Sequence, residues 1–245
     1  MKRASLILLV LLWPLAAGAA EPLVADLTTH LVAITTGFTG KEVVLFGATD
    51  GPGDVIVVVR GPLRDTAVRR KSKVAGIFIN TRQLTFTAAP SYYAVYSTRP
   101  LDDIMPPAML ALQEIGLPNL RFAVADHDPT PQEIADFRAA LIRERKRLNL
   151  FHEAVGGFNI FSERLFHLAI DLPANVPTGN YTVLIFLVRN NQVVSGQASS
   201  LFISQAGIDA DVNDFADRQA LLYGVIAVTG AAMAGWLASL PFRNA

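Results

Sequence analysis

Residues 177–189 read PTGNYTVLIFLVR. Pro177-Thr178-Gly179-Asn180 is turn chemistry, and Tyr181–Arg189 is a β-branched and aromatic run closed by Asn190-Asn191. A turn that feeds a strand with Tyr at its start is the pattern of a tyrosine corner, found in immunoglobulin-like sandwiches. Similar runs lie upstream at Leu31–Gly37, Glu42–Ala48, Asp54–Arg60, Gly76–Asn80, Gln83–Thr87 and Tyr92–Ser97. Others lie at Arg164–Asp171 and Val193–Ile203. Turn signals separate them, among them Thr49-Asp50-Gly51-Pro52-Gly53, Gly61-Pro62 and Ala89-Pro90. Many short strands at this spacing predict a mainly β fold, an Ig-like antiparallel β-sandwich. The disulfide and core Trp of antibody domains are missing, so the expectation extends to architecture alone.

The strands are interrupted by a helical insertion near 102–150. Thr130-Pro131-Gln132-Glu133 is a capping box, in which the Thr hydroxyl and the Glu carboxylate satisfy each other's backbone amides. Ile134, Phe137, Leu141 and Leu148 then share one face, which predicts an amphipathic helix from Pro131 to about Leu148. A shorter helix is expected from Pro107 to Ile115, ending near Gly116.

The two ends read as membrane-directed. Residues 1–20 have the form of a signal peptide: Lys2 and Arg3, an apolar stretch Leu6–Leu15, then Ala17-Gly18-Ala19-Ala20. The predicted organisation places a β-sandwich domain at 21–207, a stalk at 208–220, a transmembrane helix at 221–240 and a tail at 241–245. Leu221–Leu240 holds no charged residue, and at ~1.5 Å per residue it matches a hydrocarbon core roughly 30 Å thick. Asp209, Asp211, Asp214 and Asp217 precede it and Arg243 follows, which predicts an exported domain and a cytoplasmic C-terminus. Ala227, Ala231 and Gly235 recur every four residues, as do Gly230, Ala234 and Ala238. Small residues at that spacing allow close helix packing, with a second copy or with another membrane protein.

Composition narrows the function classes. Of 245 residues, 51% are hydrophobic and 17% charged, too apolar for a disordered chain. Lys+Arg 21 balances Asp+Glu 21, which argues against a nucleic-acid binder. With no cysteine, thiolate chemistry, disulfides and Cys-based metal sites are excluded. Asp126-His127-Asp128 is the most metal-like string, but adjacent loop positions rarely converge on one ion, so neither a metal nor a cofactor is expected. His30, His152 and His167 read as ordinary surface or core histidines.

A basic strip comprises Arg60, Arg64, Arg69, Arg70, Lys71 and Lys73, relieved only by Asp65. Arg69, Arg70 and Lys71 are the candidate ligand-binding residues, able to cradle an oxyanion or face acidic headgroups. The competing reading is a hairpin whose long cations guard exposed strand edges. Arg143, Arg145, Lys146 and Arg147 decorate a helix end, where cations oppose the dipole. No nucleophile elbow, metalloprotease helix, phosphate loop or dinucleotide fingerprint is present, so no catalytic residue is assigned and an enzyme is not expected.

Several segments carry a resemblance. Phe38-Thr39-Gly40, Leu45-Phe46-Gly47-Ala48, DVIVVVRGP at 54–62, VRRKSKVAGIFIN at 68–80 and YYAVYSTRPL at 92–101 form one set. LPANVPTGNYTV at 172–183 and the segment 221–243 complete it. Together they resemble a family of alphaproteobacterial transmembrane proteins, with Phe78 standing where that family would have Trp. The resemblance implies a periplasmic domain on one C-terminal span in a bacterial inner membrane. It also hints at a sulfite-exporter-like permease as partner, and it carries over no catalytic residue. The expected function is a membrane-anchored interaction module, an accessory subunit of an inner-membrane transporter. The alternatives are a small-oxyanion-binding domain and, last, a hydrolase built from scattered His and Ser residues.

Overall fold

In a computed structural model, residues 21–74, 76–125, 128–161, 164–206 and 219–239 are described, without the side chains at 74, 226–227, 234–235 and 237–239. The signal peptide expected at 1–20, most of the stalk and the tail at 241–245 lie outside the described residues. In chain order the elements are β1 (Leu23–Leu27), β2 (Leu31–Ile34), β3 (Gly40–Thr49), β4 (Asp54–Arg60), β5 (Leu63–Val74), β6 (Ile77–Pro90) and β7 (Tyr93–Ser97). Then come α1 (Leu101–Ile104), α2 (Pro107–Leu112), a 3-10 turn at Leu117–Asn119, β8 (Ala123–Val124) and α3 (Pro131–Arg147). The series ends with β9 (Phe151–Val155), β10 (Phe158–Phe161), β11 (Leu165–Pro173), β12 (Gly179–Arg189), β13 (Gln192–Gln205) and α4 (Ala220–Ser239).

One sheet has the order β1-β3-β11-β10 and a second the order β2-β13-β12-β4-β7-β9. Inward residues of both, such as Leu45 and Ile170 from the first and Ile185 and Val57 from the second, belong to one core. The result is a two-layer sandwich. The predicted antiparallel pairing holds in the interior but not at the rims of the second sheet, where β2 runs parallel to β13 and β9 parallel to β7. Chain connection explains both exceptions. β2 leaves β1's sheet and joins the other without a hairpin, while β9 arrives after a helical crossover long enough to permit parallel pairing.

The central strand shows why its sequence is continuously apolar. Val55 to Val59 on β4 are all buried, and so is all of Tyr93–Ser97 on β7, so both faces of these strands are covered. The first sheet covers one face. On the other, Ile104, Met105, Leu110, Ile115 and Leu117 from the α1–α2 region join the same core. β12 instead alternates, with Tyr181, Val183, Ile185 and Leu187 inward. The tyrosine corner forms as expected: the buried Tyr181 hydroxyl donates to the Pro177 carbonyl at 2.5 Å.

Two expectations need revision. The strands expected at Gly76–Asn80 and Gln83–Thr87 are, from Ile77 onward, one continuous strand, β6, which pairs with the basic segment β5 as a long hairpin. Charged side chains along both faces of β5 hide the period-two signal that marks a half-buried strand. The hairpin and β8 form a third sheet. The helical insertion is also divided: α1 and α2 serve the main core, whereas α3 packs Phe137 and Leu141 against Leu84 and Phe86 of β6 in a second core. The capping box of α3 is present, with Glu133 N–H to Thr130 Oγ1 at 3.2 Å and Thr130 N–H to Glu133 Oε2 at 3.1 Å.

The sequence reading placed a transmembrane helix at 221–240. A helix does form there, α4, but among the described residues no helix is long and apolar enough to cross a membrane. Of the expected span, Leu240 and the side chains at 226–227, 234–235 and 237–239 lie outside the described residues. Replacing Tyr181 with Phe removes the corner's hydrogen bond and leaves the half-buried Pro177 carbonyl without it. Denaturant unfolding of Tyr181→Phe is expected to show a loss of about 1–2 kcal/mol with an unchanged denaturant dependence.

Candidate functional site

β5 crosses α3 so that alternate side chains take opposite roles. Val68 and Arg70 face α3 together with Leu84 and Phe86. The Arg70 guanidinium lies 3.2 Å from Asp136 and 4.9 Å from the Phe137 ring centroid. Cross-strand from it, Arg82 pairs with Glu133 at 3.3 Å, the same carboxylate that closes the helix cap. Backbone hydrogen bonding to Thr130, helped by the Arg82 charge, holds Glu133 below the usual carboxylate range. Two cations of the hairpin therefore clamp it to the helix.

Arg69 and Lys71 lie on the other face of β5. Arg69 Nε donates to Gln83 Oε1 at 2.8 Å, and Lys71 is exposed. The three candidate ligand-binding residues thus do not converge as one cradle, because strand geometry separates neighbours by half a turn. They do border a groove of about 320 Å³ between hairpin and helix, with Asp136, Phe137, Ala140 and Arg143. Arg60 and Arg64 are occupied elsewhere. Arg60 donates to the Gln113 and Glu114 carbonyls at 3.0 and 3.2 Å, and Arg64 to the Thr178 carbonyl at 2.8 Å. Arg145 reaches Thr66 Oγ1 at 3.4 Å, its guanidinium held below its ordinary value by burial and by neighbouring Arg64.

The hydrolase reading meets a geometric test. Asp26, His30 and Ser199 do assemble: His30 Nε2 is 3.0 Å from Asp26 Oδ1 and 3.4 Å from Ser199 Oγ. Ser199 Oγ also donates to Asp26 Oδ1 at 3.3 Å. Both partners share one ring nitrogen, whereas a relay needs the carboxylate on one nitrogen and the hydroxyl on the other. This exposed cluster cannot pass a proton from Ser199 to an imidazole oriented by Asp26. Of the metal-like string, Asp126 and His127 lie outside the described residues. Among the described residues no three His, Asp or Glu side chains gather as a metal site.

His152 is a core histidine. Its Nε2 is 2.8 Å from the Tyr96 hydroxyl and its ring packs edge-on to Tyr92 and Tyr96, with centroids 5.9 and 5.3 Å away. His167 stacks on Phe161 at 5.7 Å. Sequence reasoning singled out nothing around Glu153, where two clefts of about 260 and 550 Å³ share Pro118 and Glu153. The Glu153 carboxylate there accepts from the Leu117 amide. The available signal was Gly116, whose φ of +93° allows the turn that aims that amide.

A family model described as "Putative transmembrane protein (Alph_Pro_TM)" matches residues 22–244. No curated protein matches the chain.

Burial pushes the His152 imidazole below its ordinary value of 6.5, against a smaller opposing pull from Asp171. As pH falls below about 6.5 the unfolded chain takes up this proton before the folded one, so stability is lost progressively there and is unaffected above. The melting temperature is expected to fall as pH drops below about 6.5, and His152→Phe to flatten that slope. A double-mutant cycle on Arg70→Ala and Asp136→Ala is expected to give a coupling of about 0.2–1 kcal/mol, as for a partly exposed pair.

Proposed function

The chain belongs to this transmembrane protein family, and from that premise we propose that it is a membrane-anchored interaction module. Its sandwich domain works in the periplasm, and it is an accessory subunit of an inner-membrane transporter. The C-terminus is cytoplasmic and α4 is the anchor. The observation that carries this reading is α4 itself. Its 20 residues hold no charge, Leu221 is 87% exposed and Val228 70%, and each of its described side chains is exposed. Apolar exposure of that extent is unfavourable in water and is relieved by lipid or by a helix partner.

The sandwich supports the module reading through its connectivity. The order β1-β3-β11-β10 against β13-β12-β4 matches the two sheets of an immunoglobulin-like domain, a scaffold whose functions reside on its rims and loops. Gly230 and Ala231 belong to the two small-residue stripes, Gly230-Ala234-Ala238 and Ala227-Ala231-Gly235, and a Cβ at Gly230 meets open space, which leaves room for a helix partner. A second reading keeps the groove beside α3 as a small-oxyanion site. It is favoured by the groove's border, where Arg69, Arg70, Lys71 and Arg143 surround one carboxylate, although of the three candidates only Arg70 turns its side chain toward α3.

Gentle solubilisation of native membranes with a C-terminal tag tests the first reading. Recovery of a polytopic membrane protein in stoichiometric amount is expected, together with its several-fold loss on Ala231→Leu. Recovery of the chain alone, or its extraction by alkaline carbonate, defeats the reading. Calorimetry with sulfite, sulfate and phosphate tests the second, and absence of heat removes it.

A further inference from the structure

We propose that the β5–β6 hairpin is a second membrane contact, in which Ile77, Phe78 and Ile79 enter the interfacial layer of an anionic bilayer while Arg69, Lys71 and Lys73 meet lipid phosphates. The tip is apolar and open to solvent. Ile77 and Phe78 are each 69% exposed and Ile79 46%. Exposed aliphatic and aromatic side chains in a row are uncommon on a protein surface without a partner.

The distribution of these residues over the two faces of the hairpin selects the partner. Phe78 pairs across the strands with Lys73, whereas Ile77 and Ile79 pair with Val74 and Ser72 and so lie on the opposite face. A groove in another protein covers one face of a hairpin. Lipid surrounds a tip on all sides, and a tip that is apolar on both faces fits such a solvent.

The charges fit an anionic surface. Arg70 and Arg82 are neutralised by Asp136 and Glu133 on the α3 side. On the Phe78 side, Arg69, Lys71 and Lys73 follow in alternation up the strand, and among the described residues no carboxylate pairs with any of them. Lys73 stands beside Phe78, and Lys71 and Arg69 follow one and three residue pairs behind Ile79, so their long stems carry the charges to headgroup depth when the tip sits at the acyl boundary. The hairpin is also braced for this role. Its base is clamped to α3, and Ser72 Oγ and Thr81 Oγ1 hydrogen bond across it at 3.0 Å.

Because the chain has no cysteine, a single Asn80→Cys site carries an environment-sensitive dye beside the intact tip. The full chain is reconstituted into vesicles of phosphatidylcholine alone, or with one part in three phosphatidylglycerol. In the anionic vesicles the dye is expected to shift to the blue and to be quenched by lipids spin-labelled on the acyl chain. A dye at Val194→Cys is expected to stay aqueous. Lys71→Gln and Lys73→Gln are each expected to weaken the contact about fivefold. Ile77→Ser with Phe78→Ser is expected to abolish it without changing the circular dichroism. A dye as accessible to iodide in anionic vesicles as in the tip variant overturns the proposal. So does a dye shielded from iodide but untouched by the lipid quencher, which would mean a protein partner. Carbonate-resistant flotation reads anchoring through α4 separately, so either idea can fail alone.

Discussion

A strand buried on both faces has no side chain left to meet water, and β4 is such a strand. Its five central residues, Val55 to Val59, are covered by the first sheet on one side and by the α1–α2 region on the other. Each buried valine contributes on the order of 1.5 kcal/mol or more of transfer free energy, which is realised only while both covers stay in place. The insertion that carries α1 and α2 is therefore part of the core and not an ornament on the sandwich. The same constraint recruits Arg60 at the end of β4, which ties the Gln113 and Glu114 carbonyls to the sheet.

The hairpin follows a different logic. It reaches away from the main core and is stabilised by its own cluster of Leu84, Phe86, Phe137 and Leu141. Around that cluster the contacts with α3 are charged, Arg70 to Asp136 and Arg82 to Glu133. Exposed pairs of this kind contribute little energy each but fix which faces meet. Glu133 links two levels of structure, because the carboxylate that begins α3 is also the one that holds the hairpin.

How far the sequence disclosed this differs from element to element. β4 and β12 were legible as apolar runs, Val55–Val59 and Val183–Val188, each closed by turn chemistry. Thr130 and Glu133 disclosed the start of α3 to the residue, since capping is a local interaction. β5 was legible only in outline: the basic strip reads as a hairpin with cations along its edges, but LRDTAVRRKSKV has cations on both faces, and its bounds are set by its partner β6. β1, β9 and β10 escaped for a related reason, being short and dependent on neighbours distant in sequence. The candidate cations were visible as a strip, but their division between a clamp and a free face depends on strand parity. Parity in turn depends on a register that only pairing reveals.

That register carries two irregularities, and the one nearer the tip lies between Arg70 and Lys71, where Arg82 and Asn80 are the successive partners and Thr81 has none. Everything beyond this point keeps its face because one residue of β6 is absorbed locally. Length variation is thus cheap here: a chain lacking Thr81 would pair regularly and present the same side chains to the same sides. A one-residue deletion within a regularly paired stretch of the hairpin has no such slack and would turn its far end inside out. Related chains that differ in length by a single residue in this hairpin should differ at Thr81 or at the other irregularity, around Asp65 and Thr87–Ala88.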